Sequence, residues 1–266
     1  MRRCCRWVIQ RAPVGSRPGG KRSGAVSDWL TRPPCGFLCH RADATGGPVT
    51  PHATPTLERL DGSGKVLESR PIDRPELVIG REGDFALPGD SFLSRRHARI
   101  RLASDGAVIL EDLESRNGVF VQVPGSVELR HGDHLLMGDQ RFRFEIAPPT
   151  PSPPSAEIAP RTMELGSPAP AAGARLVRIL QDGRDGTACA IGPRGFVVGR
   201  SSGNLVLAKD GSLSARHARI CGAAGRYRVE DLKSRNGTFL RLRGPVTLQP
   251  GEIFRIGTQL LRVVRT

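Results

Sequence analysis

The chain has 266 residues, 38% of them hydrophobic, with 40 Lys and Arg against 26 Asp and Glu for a net charge of +14. That length holds one large domain or two ordinary ones, and 22 prolines with 32 glycines imply that part of it builds no core. No apolar run approaches the roughly 20 residues that span a bilayer, and Trp7-Val8-Ile9 is cut short by Gln10-Arg11, which leaves no apolar region for a secretory signal; the chain reads as cytoplasmic, with no membrane partner.

Residues 1–55 mix Arg, Gly, Pro and small polar residues without periodicity, a composition that does not offset its own ordering entropy. They read as a disordered basic leader, either a flexible segment or an over-extended reading frame. Six cysteines (Cys4, Cys5, Cys35, Cys39, Cys189 and Cys221) are irregularly spaced and imply no disulfide framework. Cys35-x-x-x-Cys39-His40 has the form of half a zinc site, but the adjacent Cys4-Cys5 makes a poor second half, so neither metal nor cofactor is expected.

From Thr56 the pattern changes to short apolar runs at 56–60, 77–79, 98–102, 108–110, 119–121, 135–137 and 142–146. His97-Ala98-Arg99-Ile100-Arg101-Leu102 and Arg141-Phe142-Arg143-Phe144-Glu145-Ile146 alternate polar with apolar, the period of half-buried strands. Residues 148–171 open with Pro148-Pro149-Thr150-Pro151-Ser152-Pro153-Pro154 and read as a semi-rigid linker. Short runs resume at 176–180, 196–198, 205–207, 218–220, 227–229, 239–240, 253–256 and 260–264. Many short strands without a helical stripe predict an all-β chain, with sandwich domains at 56–147 and 172–266 joined by the Pro/Ala-rich linker.

The two strand-rich halves are a duplication. Ser94-Arg95-Arg96-His97-Ala98-Arg99-Ile100 returns as Ser214-Ala215-Arg216-His217-Ala218-Arg219-Ile220, and Glu111-Asp112-Leu113-Glu114-Ser115-Arg116-Asn117-Gly118 as Glu230-Asp231-Leu232-Lys233-Ser234-Arg235-Asn236-Gly237. An offset of about 120 residues is far longer than a solenoid unit. Repeated Val, Ile and Leu serve packing, but the repeated polar residues require another account. Arg81, Ser94, Arg116 and Asn117, with counterparts Arg200, Ser214, Arg235 and Asn236, adjoin predicted strand ends, and loops of a sandwich gather at one end. Guanidinium forks, a hydroxyl and an amide together suit a phosphate.

The ordered set Gly80-Arg81, Ser94-x-x-His97, Ser115-x-Asn117-Gly118, Gly132-Asp133 and Met137-Gly138, repeated as Gly199-Arg200, Ser214-x-x-His217, Ser234-x-Asn236-Gly237, Gly251-Glu252 and Ile256-Gly257, resembles the forkhead-associated (FHA) domain. The resemblance covers roughly 185 residues. It implies a sandwich of about eleven strands in each half that binds phosphothreonine peptides through loops at one edge, as tandem modules of a bacterial signalling protein. Arg81 and Ser94 would then hold the phosphate, Arg95 would add a second cation, Arg116 would stand at a further phosphate contact and Asn117 would bond the peptide backbone. Arg200, Ser214, Arg235 and Asn236 would take the matching roles, while Ala215, in the place of Arg95, donates nothing to a phosphate. His97 and His217 would brace the binding loops, and Gly80, Gly199, Gly118 and Gly237 would be structural. Asn117-Gly118 also has a simpler reading as a hairpin turn.

Three function classes follow. The first is a non-catalytic phosphothreonine reader whose partners are threonine-phosphorylated proteins, a Ser/Thr kinase among them, since a phosphate adds about −1.5 to −2 charge for arginines to detect. The second draws on charge: residues 1–54 carry a net +7, 55–147 a net −3, 148–171 a net −1 and 172–266 a net +11, so the second domain is a candidate polyanion or nucleic-acid binder, or a purely structural interaction domain. It lacks the interleaved aromatics of base stacking. The third, an enzyme, finds no phosphate-cradling loop, nucleophile elbow or metal-ligand cluster, and no catalytic residue is expected.

Overall fold

The computed structural model describes residues 54–146, 173–223 and 225–265. The leader up to residue 53, the 148–171 linker and the four leader cysteines lie outside them. The described residues form twenty strands and no helix, ten strands in each half where about eleven were expected. The first repeat supplies β1 (Pro55–Leu60), β2 (Val66–Pro71), β3 (Glu76–Gly80), β4 (Phe85–Ala86), β5 (Ala98–Leu102), β6 (Val108–Asp112), β7 (Val119–Gln122), β8 (Ser126–Leu129), β9 (His134–Met137) and β10 (Gln140–Ile146). The second supplies β11 (Ala174–Ile179), β12 (Asp185–Ala190), β13 (Phe196–Gly199), β14 (Leu205–Val206), β15 (Ala218–Ala223), β16 (Arg226–Asp231), β17 (Thr238–Arg241), β18 (Val246–Leu248), β19 (Ile253–Ile256) and β20 (Gln259–Arg265).

The strands assemble into three sheets. One has ten strands in the order β12-β11-β10-β9-β17-β7-β19-β20-β1-β2, and two have five, β18-β6-β5-β3-β4 and β14-β13-β15-β16-β8. These orders mix the repeats. β18, β19 and β20 complete the sandwich begun by β1 to β7, and β8, β9 and β10 complete the one begun by β11 to β17. Each sandwich is therefore a composite, whereas the sequence alone predicts 56–147 and 172–266 as self-contained sandwiches.

The exchange has a physical basis in the pattern of the last three strands. Leu135, Met137, Phe142 and Phe144 of the first repeat occupy the same places as Phe254, Ile256, Leu261 and Val263 of the second, and none is more than 1% exposed. Either set can fill either core. The connections that cross over, Val123-Pro124-Gly125 and Leu242-Arg243-Gly244-Pro245, are short, and their prolines hold the preceding residue extended; short hinges favour exchange over folding back. At the crossing, β7 pairs antiparallel with β17 through Phe120–Arg241, Val121–Leu240 and Gln122–Phe239. Val119, Val121, Thr238 and Leu240, all fully buried, line one face there. With the core residues of β9 and β19, Val119, Val121 and Leu240 belong to an apolar interior shared by both sandwiches.

Charge follows the same crossing. Arg262 of β20 meets Glu58 of β1 at 2.6 Å, Arg175 of β11 meets Glu145 of β10 at 2.6 Å, and Arg143 meets Asp185 at 2.6 Å. Arg243 forks onto Asp133, its Nε donating to Oδ1 at 2.8 Å and its Nη2 to Oδ2 at 2.6 Å. The acidic first repeat and the basic second repeat thus neutralise one another across the exchange.

Two buried carboxylates anchor the exchanged hairpins. Asp90, in the β4–β5 loop and 5% exposed, accepts from Thr258 N at 2.8 Å, Thr258 Oγ1 at 2.6 Å and Gln259 Nε2 at 3.0 Å in the β19–β20 turn. Asp210, 6% exposed, accepts from Asp139 N at 3.1 Å and Gln140 Nε2 at 2.7 Å in the β9–β10 turn. Burial works against ionisation of Asp90, but the Thr258 and Gln259 hydrogen bonds outweigh it and hold the carboxyl below its ordinary 3.8. Asp90→Ala should therefore cost about 2 to 3 kcal/mol, the scale of buried donors left unsatisfied, in equilibrium denaturation. An unchanged midpoint would show that the aspartate does not hold the turn.

Candidate functional site

The first cleft is built from three loops. Arg81 follows β3, Ser94 lies in the β4–β5 loop, and Arg116 and Asn117 lie in the β6–β7 loop. Backbone bonds lock them together: Arg81 N–H donates to the Ser94 carbonyl at 3.1 Å, and Arg116 N–H donates to Ser94 Oγ at 3.2 Å. Asn117 Nδ2 donates to the Phe92 carbonyl at 2.8 Å. All four line one cleft of about 470 Å³ with Phe92. The guanidinium groups of Arg81 and Arg116 form no ion pair among the described residues, so the cleft presents unneutralised positive charge beside a hydroxyl and an amide. Arg95 stands apart from the cleft lining, 3.3 Å from Glu82 on the surface.

The β6–β7 loop is shaped by its own side chains. Asp112 Oδ1 accepts from Ser115 N at 2.9 Å, and Ser115 Oγ from Gly118 N at 3.0 Å. Glu114 between them has φ of +53°, and Lys233 at the matching place has +57°. Non-glycine residues in that region store strain that surrounding bonds must hold, and here they hold it immediately before the arginine and asparagine of each cleft. Gly118 (φ +83°) and Gly237 (φ +78°) close these loops. Gly80 has a different reason: a Cβ there would run into the backbone carbonyls of Ser94 and Arg95, and Gly199 is packed in the same way against Ala215.

Beneath each loop lies a histidine with no exposed surface. Ser94 N–H donates to His97 Nδ1 at 3.1 Å, and His97 Nε2–H donates to the Gly118 carbonyl at 3.1 Å. His217 repeats this with Ser214 N at 3.2 Å and the Gly237 carbonyl at 3.1 Å. The pair of bonds fixes the neutral tautomer and ties the serine loop to the asparagine loop.

The second cleft follows the same plan with different walls. Arg200 N–H donates to the Ser214 carbonyl at 2.9 Å, Arg235 N–H to Ser214 Oγ at 2.9 Å, and Asn236 Nδ2 to the Ser212 carbonyl at 2.8 Å. Arg235 and Asn236 line a cleft of about 490 Å³, whose lining does not include Arg200 or Ser214. The exchange adds walls that sequence reasoning misses. Residues 62–64 of the β1–β2 turn close the second cleft; residues 181–183 of the β11–β12 turn and Arg141 of β10 close the first. Nothing in the repeat signals these contacts, because they join residues far apart in the chain. Among the described residues no group of His, Cys, Asp or Glu gathers in a way that could hold a metal, and no helix is long and apolar enough to cross a membrane.

Burial pushes both histidines below their ordinary 6.5, against the opposing pull of the Gly118 and Gly237 carbonyls. With the folded-state values depressed, the unfolded chain takes up protons first. The stability these neutral rings supply is thus complete above about pH 6.5 and is lost as pH falls from there toward their folded-state values. His97→Ala should lower stability by about 1 to 3 kcal/mol and flatten that loss. Thermal melts of wild type and variant near neutral pH and near pH 5.5, about one unit below the ordinary value, test this; a wild-type melting temperature equal at both would contradict it.

The FHA domain model matches residues 77–138 and 196–257, the stretches that hold both sets of loops. Among curated proteins, the chain is 32% identical over 80 residues to the transcriptional regulatory protein EmbR of Mycobacterium tuberculosis, covering 29% of this chain and 21% of that one. It is 29% identical over 93 residues to the FHA domain-containing protein FhaB of Mycolicibacterium smegmatis, covering 34% of this chain and 60% of that one. The chain thus spans less than two thirds of either relative. Among solved structures, the FHA domain of the CT664 protein from Chlamydia trachomatis aligns at 14% identity over 80% of this chain and 99% of its own, with a TM-score of 0.34. The two matched segments, with the loops within them, are FHA domains, one in each repeat.

Proposed function

We propose that the chain is a non-catalytic adaptor of the cytoplasm that binds threonine-phosphorylated proteins through two clefts, downstream of a Ser/Thr kinase. FHA domains bind phosphothreonine peptides, and the observation that carries the reading is the convergence of Arg81, Ser94, Arg116 and Asn117 on one cleft. A phosphate entering it meets the guanidinium donors of Arg81 and Arg116, which form no ion pair among the described residues, and charge-assisted bonds of this kind are the strong ones. Phe92, 53% exposed at the rim, offers an apolar contact for the peptide.

A polyanion-binding role for the second repeat finds less support. Five of its arginines, Arg175, Arg241, Arg243, Arg255 and Arg262, face carboxylates of the first repeat, so much of its excess charge is spent inside the molecule.

The two clefts should be unequal. Arg95 is held only by a surface pair with Glu82, an interaction worth about 0 to 1 kcal/mol and easily given up to a phosphate, whereas Ala215 has nothing to give. A charge-assisted bond of about 1.5 to 3 kcal/mol corresponds to at least about tenfold in affinity. In the full chain, Arg81→Ala should weaken the first cleft by about 2 to 5 kcal/mol and leave the weaker second cleft to be measured, while Arg200→Ala should leave the tighter first cleft. Titration of both variants with a phosphothreonine peptide and its unphosphorylated twin reads this directly. Equal affinity in the two variants, or no dependence on the phosphate, would contradict it.

A further inference from the structure

Arg141 reaches the first cleft from the other sandwich. It lies on β10, which the exchange places beside β11, and it lines the same cleft as Arg81, Ser94 and Asn117. Its Nη2 donates to Asn117 Oδ1 at 3.3 Å. Among the described residues it has no ion-pair partner. Asp182, the one acidic residue lining that cleft, pairs with Arg184 through Nε at 2.6 Å and the backbone N–H at 3.0 Å. A half-buried guanidinium without a counter-charge is costly unless an anion arrives. Burial, then the nearby charge of Arg241, depresses its pKa, which agrees with that geometry. Leu260 holds the matching position in β20 and lines the second cleft, so the feature belongs to the first cleft alone.

Resting on the phosphopeptide reading above, we propose that Arg141 is a specificity-determining residue of the first cleft, which selects ligands carrying a second anionic group a few residues from the phosphothreonine. Arg141 and Asn117 line both this cleft and the groove beside it, whereas Arg81 and Ser94 line the cleft alone, so Arg141 is placed to meet a flanking part of the peptide. Beside it a groove of about 550 Å³, lined by Phe120, Leu136 and Ile179 and by the charged Asp139, Arg178 and Arg255, gives the flanking peptide a bed. A carboxylate side chain or a second phosphate supplies the chemistry Arg141 lacks.

The test uses the full chain with the second cleft silenced by Arg200→Ala. The probes are alanine-based phosphothreonine peptides with one aspartate, or one phosphoserine, placed in turn at each flanking position, plus the all-alanine phosphopeptide and its unphosphorylated twin. We expect one or two adjacent positions at which the added anion tightens binding about tenfold, the worth of one charge-assisted bond, and Arg141→Gln should abolish that ratio. Arg141→Lys should keep part of it. Aspartate and phosphoserine arms separate a carboxylate reader from a phosphate reader. If Arg141→Gln does not fold, Leu260→Arg in a chain with Arg81→Ala should create the same preference in the second cleft. Phosphate-dependent binding with the same flanking preference in wild type and Arg141→Gln would overturn this inference alone. Binding indifferent to the phosphothreonine would overturn both it and the function on which it rests.

Discussion

The antiparallel pairing of β7 with β17 decides the form of the molecule. Each strand ends its own half of the ten-stranded sheet, and without the other each would present an open edge with unpaired backbone groups. Joined, they fuse two half-sheets into one, bring the hairpins β9–β10 and β19–β20 to opposite sides of the seam, and oblige the last three strands of each repeat to finish the sandwich of the other. The walls added to both clefts, including Arg141, are consequences of that seam.

Electrostatics makes the exchange coherent. In isolation, a first domain of net −3 and a second of net +11 invite a separate explanation for each. In the folded chain the carboxylates Glu58, Asp112, Asp133, Asp139 and Glu145 face arginines of the second repeat. Several of these pairs are partly buried, where solvent screens less than it does at the surface. What is left unpaired is informative for the same reason: Arg81, Arg116 and Arg141 line one cleft and form no ion pair among the described residues.

Much of this was legible in the residues. The strands with one buried face, such as β5 and β10, announce themselves by alternation, and the repeated arginine, serine and asparagine lie in the loops expected of them. β2 and β12 were missed because both of their faces are largely exposed and no apolar rhythm marks them. β4 is two residues long, and β8 and β18 are too short to stand out, whereas the run at 205–207 does contain the two-residue β14. The exchange was hidden for a deeper reason. Phe142 and Phe144 fit the same places as Leu261 and Val263, so the hydrophobic pattern specifies the seat and not its occupant. In the sequence Arg141 is one polar member of the alternating run 141–146, and only its neighbours across the seam set it apart.

The exchange is tested most directly by cross-linking across β1. Glu58 sits opposite Arg262 of β20, at a cross-strand separation that suits a disulfide; with each repeat folded on itself its partner would be Arg143, which holds the same place in β10. In a chain whose natural cysteines are replaced by serine, Glu58→Cys with Arg262→Cys should oxidise to a monomeric species with the 58–262 disulfide identified by mass spectrometry, and Glu58→Cys with Arg143→Cys should not. A monomer cross-linked through positions 58 and 143 in place of 58 and 262 would contradict the account.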